Sequence, residues 1–193
     1  MIGRLSSLLV VTDGQRTSGR SLPAVIAGAV DGGARAVLLR EKHLPHATRR
    51  DLAVAIAAIL APVGGVVLVG SDPTIPADGV HLAGADPFPE PGPRLIGRSC
   101  HNRADIEQAA AQGCTYATLS PIFPSPSKPG YGPALTPSAL ADLPLPTWAL
   151  GGVDATNAAR CIARGATGVA VMGAIMGAPD PASATAAILG ALA

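Results

Sequence analysis

A chain of 193 residues can fold as one domain with a substantial core, and with 48% apolar but only 3% aromatic side chains that core must be built from Ala, Val, Leu and Ile. A net charge of +1, with no block of like charge, argues against electrostatic binding to nucleic acid or anionic lipid. No apolar run approaches the roughly 18 residues that span a bilayer, and Met1-Ile-Gly-Arg-Leu leads into a strand, not a signal peptide. Cys100, Cys114 and Cys161 are odd in number and lack metal or redox spacing, which points to free thiols in a reducing compartment. The expectation is one α/β domain over 1–193, cytoplasmic, with homo-oligomerisation left open.

The first predicted strand, Leu8–Thr12, ends in Thr12-Asp13, with Arg16 just beyond. Ser21 can cap a helix with Pro23 in its first turn, and Gly32-Gly33 ends it. Ala36–Arg40 is the second strand, followed by Lys42. Thr48 is the expected cap of a helix that stops before Pro62. Val66–Gly70 and Gly79–Leu82 are the third and fourth strands. The eight-residue connection between them is too short for a full helix and predicts a turn carrying Ser71 and Asp72. His81 and Asp86 lie at and beyond the fourth strand's end.

Leu95–Ser99 is the fifth strand, Asn102 caps a helix running to Gln112, and Gly113 closes it. Tyr116–Leu119 is the sixth. Pro137, after Thr136, opens a further helix; Thr147–Leu150 is the seventh strand; Asn157 starts another helix ended by Gly165; and Gly168–Met172 is the eighth strand. Several strands are apolar throughout, as expected of parallel strands covered on both faces. Eight strands with intervening helices admit a closed (β/α)8 TIM barrel or an open doubly wound sheet. No Gly-x-Gly-x-x-Gly follows the first strand, and nearly every strand end carries polar residues. A closed barrel gathers those ends on one rim, so the compact barrel is the expected fold.

Ser120-Pro-Ile-Phe-Pro-Ser-Pro-Ser-Lys-Pro-Gly130 stands out on that rim. Its prolines exclude a helix or paired strand, yet it carries Ser125, Ser127 and Lys128, able to meet one anion. Lys42 and Lys128 are the chain's two lysines against twelve arginines, and both lie in strand-end loops. Gly151-Gly152 and Met172-Gly173 follow the last two strands, where barrels commonly seat a phosphate on backbone N–H groups; a tight turn is the plainer reading of Gly-Gly. Asp72 and Asp86, near Arg40, Lys42 and Lys128, suit Mg²⁺ bridging a diphosphate. His81 and His101 could face the rim, whereas His43 and His46 read as loop residues. Asp13 and Arg16 read equally as rim contacts or solvated charges.

Together these landmarks resemble the thiamine phosphate synthase family, which includes the sister thiazole tautomerases. They are Val10-Val-Thr-Asp13, Leu39-Arg-Glu-Lys42, Asp78-Gly-Val-His81, Ile96 to Asn102, Ser120 to Lys128, Leu150-Gly-Gly-Val153 and Gly168 to Ile175. The resemblance implies an eight-fold barrel that joins an aminopyrimidine methyl diphosphate to a thiazole phosphate, with Mg²⁺, releasing pyrophosphate before the thiazole nitrogen captures the pyrimidine-methyl cation. Position by position it implies Arg40 and Lys42 on the diphosphate, Asp72 and Asp86 on Mg²⁺, and Ser99 against the pyrimidine and leaving group. Ser125, Ser127 and Lys128 would contact phosphate oxygens. Gly151, Gly152, Met172 and Gly173 would form the thiazole phosphate site.

Two positions depart from the family pattern: Leu38 stands for its Gln and Ser71 for its Asn, both amides expected at the diphosphate half. A tautomerase therefore stays open as an alternative, although Pro121 replaces the histidine which that enzyme places in the Pro-rich loop. A phosphate-ligand sensor and a Schiff-base aldolase using Lys42 or Lys128 are further alternatives. The expected partners are small phosphorylated molecules.

Overall fold

A computed structural model describes residues 5–90, 92, 95–124 and 133–193. Eight parallel strands close into a barrel in chain order: β1 Leu8–Val11, β2 Ala36–Leu39, β3 Val66–Gly70, β4 Gly79–Leu82, β5 Ile96–Cys100, β6 Tyr116–Leu119, β7 Thr147–Leu150 and β8 Gly168–Val171. The ring closes where Leu8, Leu9 and Val10 of β1 lie opposite Val169, Ala170 and Val171 of β8. All eight strands agree with expectation to within one residue at each end. Because every pairing is parallel, the carboxyl ends of all strands share one rim.

The helices are α1 Leu22–Asp31, α2 His46–Leu60, α3 Arg103–Ala111, α4 Ala158–Ile162, α5 Gly173–Met176 and α6 Pro181–Leu192. Ser21 caps α1 by accepting from the Ala24 N–H, and Asn102 caps α3 by accepting from Asp105 N–H. The start of α2 differs from expectation. It follows Pro45, whose fixed φ of −57° already suits a helix entry, so the Arg49 N–H bonds Pro45 O and Thr48 falls inside the first turn. The stretch opened by Pro137 is only a single 3₁₀ turn, Pro137–Leu140. The helical layer is uneven: among the described residues no helix follows β3 or β4.

Strand alternation sorts the core in two. Outward side chains such as Val10, Val37, Val69, Leu82 and Val169 pack under the helices. Leu9, Val11, Ala36, Leu38, Leu68, Tyr116, Trp148 and Ala170 form a separate apolar cluster inside the barrel. Two aromatics fill this small lumen because glycines opposite make room. A Cβ on Gly97 would stand 2.0 Å from the Tyr116 ring, and one on Gly168 would stand 2.4 Å from Trp148 Nε1. The two rings meet edge to face at 5.6 Å, an arrangement worth about 0.5–1.5 kcal/mol beyond the area it buries. No helix among the described residues is long and apolar enough to cross a membrane.

Candidate functional site

The rim beyond β2, β3 and β4 is built from charged side chains. Arg40 and Lys42 are exposed, while Glu41 between them is buried and accepts a hydrogen bond from the Gly14 N–H at 3.0 Å. That anchor ties the β2 loop to the β1 loop and turns its two neighbours outward. The Arg40 N–H, in turn, donates to Thr12 Oγ1 at 2.9 Å. Partial burial pulls the Lys42 ammonium below its usual pKa, and the Arg40 and Arg49 charges push the same way while Asp86 opposes them. Lys42, Arg40, Arg49 and Asp86 thus lie in one another's fields.

Asp72 and Asp86 follow adjacent strands. Asp72 Oδ1 accepts from the Thr74 N–H at 3.1 Å and its hydroxyl at 2.6 Å, and Oδ2 accepts from Arg49 Nη1 at 3.3 Å. Asp86 Oδ2 accepts from the Ala83 N–H at 2.6 Å. Burial works against the charge of each carboxylate, but it is outweighed. For Asp72 the Thr74 hydrogen bonds and the charges of Arg49 and His46 prevail; for Asp86 it is Ser71, the Ala83 N–H, Lys42 and Arg98. Both carboxyls therefore titrate below the ordinary range and stay anionic. Ser71 Oγ lies close enough to favour the Asp86 charge, yet it is buried and closes no hydrogen bond of ordinary geometry among the described residues. Ser71 also has φ +62°, in the left-handed region.

Two anionic carboxylates with only oxygen donors suit a hard divalent cation that takes its remaining ligands from substrate and water. No cluster of three or more His, Cys, Asp or Glu among the described residues could hold such an ion by itself.

Inside the barrel, below this charge, His81 is buried. One ring nitrogen, Nδ1, lies 2.8 Å from the Tyr116 hydroxyl; the other, Nε2, lies 3.0 Å from Ser99 Oγ and 3.3 Å from Thr118 Oγ1. Burial, reinforced by the Lys42 and Arg40 charges, drives its pKa down to about 3, so the imidazole is neutral. Leu38 also lies inside, within the apolar cluster of Val11 and Leu68. A leucine there packs against carbon and offers no hydrogen bond. His101 Nδ1 sits 2.8 Å from Ser120 O, beside the start of the Pro-rich loop.

Beyond β6, β7 and β8 the rim is built from backbone. Gly151 and Gly152 have φ of +92° and +65°. A Cβ on Gly152 would stand 2.4 Å from Pro124 O, and one on Gly151 would stand 2.9 Å from Pro121 Cα. The Gly-Gly pair is thus required by close packing of the Pro-rich loop, which bonds it through Ile122 N–H to Leu150 O and Phe123 N–H to Gly151 O. Gly173 differs: no atom lies within 4 Å of its missing Cβ, so packing does not require a glycine there. It opens α5 after Met172, and its N–H, as the first of a helix, has no intrahelical partner. Ser125, Ser127 and Lys128 lie outside the described residues.

Arg49, Glu41, Arg98 and Asn157 join the candidate site although the sequence does not mark them as site residues. Asn157 donates from Nδ2 to Gly152 O and so holds the glycine turn. Only Glu41 offered a sequence signal, as a carboxylate between the two rim cations. Asp13 and Arg16, by contrast, pair locally at 3.1 Å. His46 does not sit in a loop: it opens α2 and meets the Thr74 hydroxyl at 3.1 Å.

The profile of the family described as "Thiamine monophosphate synthase" matches residues 8–175. The chain is 39% identical to a putative thiamine-phosphate synthase of Geobacter sulfurreducens, over 96% of this chain and 94% of that protein. It is 36% identical to the thiamine-phosphate synthase of Roseiflexus castenholzii, over 93% of this chain and 85% of that one. Among solved structures, a thiamine phosphate pyrophosphorylase from Pyrococcus furiosus superposes with a TM-score of 0.84, covering 96% of this chain and 94% of its own at 24% identity. That likeness confirms the barrel.

Proposed function

The chain belongs to the thiamine monophosphate synthase family, and from that premise we propose that it is a transferase joining an aminopyrimidine methyl diphosphate to a thiazole phosphate with release of pyrophosphate. The observation that carries the reading is the pairing of two rim halves: cations Arg40, Lys42 and Arg49 beside anionic Asp72 and Asp86, facing an end of glycine-rich backbone. One half fits a diphosphate with its metal, the other a phosphate monoester.

Asp72 and Asp86 would hold Mg²⁺, which when bound neutralises charge on the diphosphate. Arg40 and Lys42 stabilise the oxygens on which charge grows as the bond breaks, a contribution made mainly in the transition state. Ser99, tethered from below by His81, meets the pyrimidine side, and the Gly173 N–H holds the thiazole phosphate. Ser125, Ser127 and Lys128 contact phosphate oxygens in the same proposal, on sequence alone. Such chemistry needs no protein nucleophile, and the three cysteines fit that: all are buried, and burial raises the Cys100 thiol to about 12 and the Cys161 thiol to about 11. A cytoplasmic location belongs to the same reading.

The deciding experiment supplies both substrates, with Mg²⁺ or with EDTA, and follows pyrophosphate. Metal-dependent release requiring both substrates is expected; no release under any condition would overturn the proposal. The tautomerase, sensor and aldolase readings gain no support from the fold or the relatives.

A further inference from the structure

β5 turns Ser99 into the barrel and Arg98 to the outer side, beneath the connection that leads from β4. Among its described residues this connection has no helix, so its carbonyls need donors from elsewhere. Arg98 supplies them. It is only 5% exposed, and its Nη1 lies 2.9 Å from Ala83 O, 2.8 Å from Gly84 O and 2.9 Å from Asp86 O. Asp86 closes the same turn on itself: its N–H donates to Ala83 O at 3.1 Å and its Oδ2 accepts from the Ala83 N–H at 2.6 Å. The carboxylate at the rim thus hangs on a four-residue turn that one guanidinium holds from below.

Arg98 is a poor choice for a merely mechanical staple. Its Nε and Nη2 are buried and close no hydrogen bond of ordinary geometry among the described residues, although the Cys114 thiol lies near enough to feel the guanidinium. Arg98 also lines a 130 Å³ cavity shared with Gly84, Ser99, Asp105, Gln108 and Gln112. Burying a guanidinium with such sparse partnering is unfavourable. What the arrangement obtains for that burial is a fixed positive charge directly behind Asp86, alongside a turn that cannot swing. Three acceptors on one nitrogen also fix where the turn sits relative to Ser99, the next residue along β5.

We propose that Arg98 is a positioning residue for the diphosphate half: by locking the Ala83–Asp86 turn it sets the direction of the Asp86 carboxylate and hence the affinity of the site for its divalent metal. This rests on the synthase reading given above.

The test uses Arg98→Lys and Arg98→Met in the full chain. Pyrophosphate release is titrated with Mg²⁺, and Mn²⁺ binding is measured separately by electron paramagnetic resonance without substrate. Loss of a group that orients a metal ligand typically weakens the metal by about 10–100-fold, and that shift is expected in both titrations for Arg98→Met. At saturating metal, kcat should return to near the native value and the KM for thiazole phosphate should not move. Hydrogen exchange should quicken in peptides spanning 83–86. In an Asp86→Asn background, Arg98→Lys should change Mn²⁺ affinity no further. Unshifted metal titrations in a folded variant, or a loss of kcat that metal cannot restore, would overturn the proposal. If Arg98→Met fails to fold, Arg98→Lys carries the same comparison. If the native protein releases no pyrophosphate, the synthase reading fails, while Mn²⁺ binding and hydrogen exchange still judge Arg98.

Discussion

The two halves of the rim are built in opposite ways. Beyond β2–β4, charged side chains are held by specific hydrogen bonds: Glu41 by the Gly14 N–H, Asp72 by the Arg49 guanidinium and Asp86 by the Ala83 N–H, with Arg98 gripping the Asp86 backbone carbonyl. Beyond β6–β8 there is almost no charge among the described residues, and backbone is brought close by glycines, of which packing demands Gly151 and Gly152. The first design tolerates loss of one member as a loss of chemistry with the fold intact. The second turns a single added carbon into a steric event. Mutations should therefore separate the halves by what they damage.

The largest expected effect is on the charged side. Asp86→Asn removes the negative charge opposite Lys42 and should lower turnover by about 10²–10³-fold while the thermal midpoint changes little. Pyrophosphate release and a melting curve on the same sample check this, and a parallel collapse of both would erase the contrast. Gly152→Val on the other side should do the reverse first. Its φ of +65° and the 2.4 Å approach to Pro124 O forbid a branched side chain. A loss of about 3 kcal/mol or more in denaturant unfolding is expected. Native stability in this variant would mean that the Pro-rich loop can move away freely.

Below both halves, His81 links stability to pH. Its folded pKa of about 3 lies under its ordinary value near 6.5, so the unfolded chain binds the extra proton between those limits. Its neutral burial contributes fully above 6.5, and stability then falls on acidification toward 3 by about 1.4 kcal/mol per pH unit. His81→Gln should flatten that slope in unfolding curves taken from pH 7 to pH 4. A slope that persists unchanged in the variant would assign it to the carboxylates.

Gly173→Ala adds a methyl group where nothing stands within 4 Å. The KM for thiazole phosphate should rise roughly tenfold, about 1.4 kcal/mol, with stability unaffected; an unchanged KM would remove Gly173 from the phosphate site. The smallest effect belongs to Ser71→Asn. Asn tolerates the left-handed φ that Ser71 adopts, so the variant should gain about 1 kcal/mol of stability. Combined with Leu38→Gln it should also tighten the diphosphate substrate, as a KM measurement would register.

The fold was legible because eight apolar runs alternate with capped helices, and Ser21 and Asn102 cap where their side chains suggest. The start of α2 was misplaced because Pro45 competes with Thr48 and needs no side-chain cap. The charged residues of the candidate site are legible as strand-end Arg, Lys and Asp, which announce themselves by position. Its bracing was not: Arg49 sits in a helix and Arg98 mid-strand, and nothing local distinguishes a buried arginine from a solvated one. Gly151 and Gly152 are legible as a tight turn, but sequence alone could not show that the Pro-rich loop is what presses on them.

The fit between Gly97 and Tyr116 has a consequence for how this barrel can change over time. A side chain at 97 would occupy the space of the Tyr116 ring, so a lineage can enlarge position 97 only after shrinking position 116. That first step would also remove the hydroxyl which meets His81 Nδ1, loosening the support beneath Ser99. Positions 97 and 116 are thus bound to a shared order of substitutions, and drift at either is restrained by the His81–Ser99 contact above them.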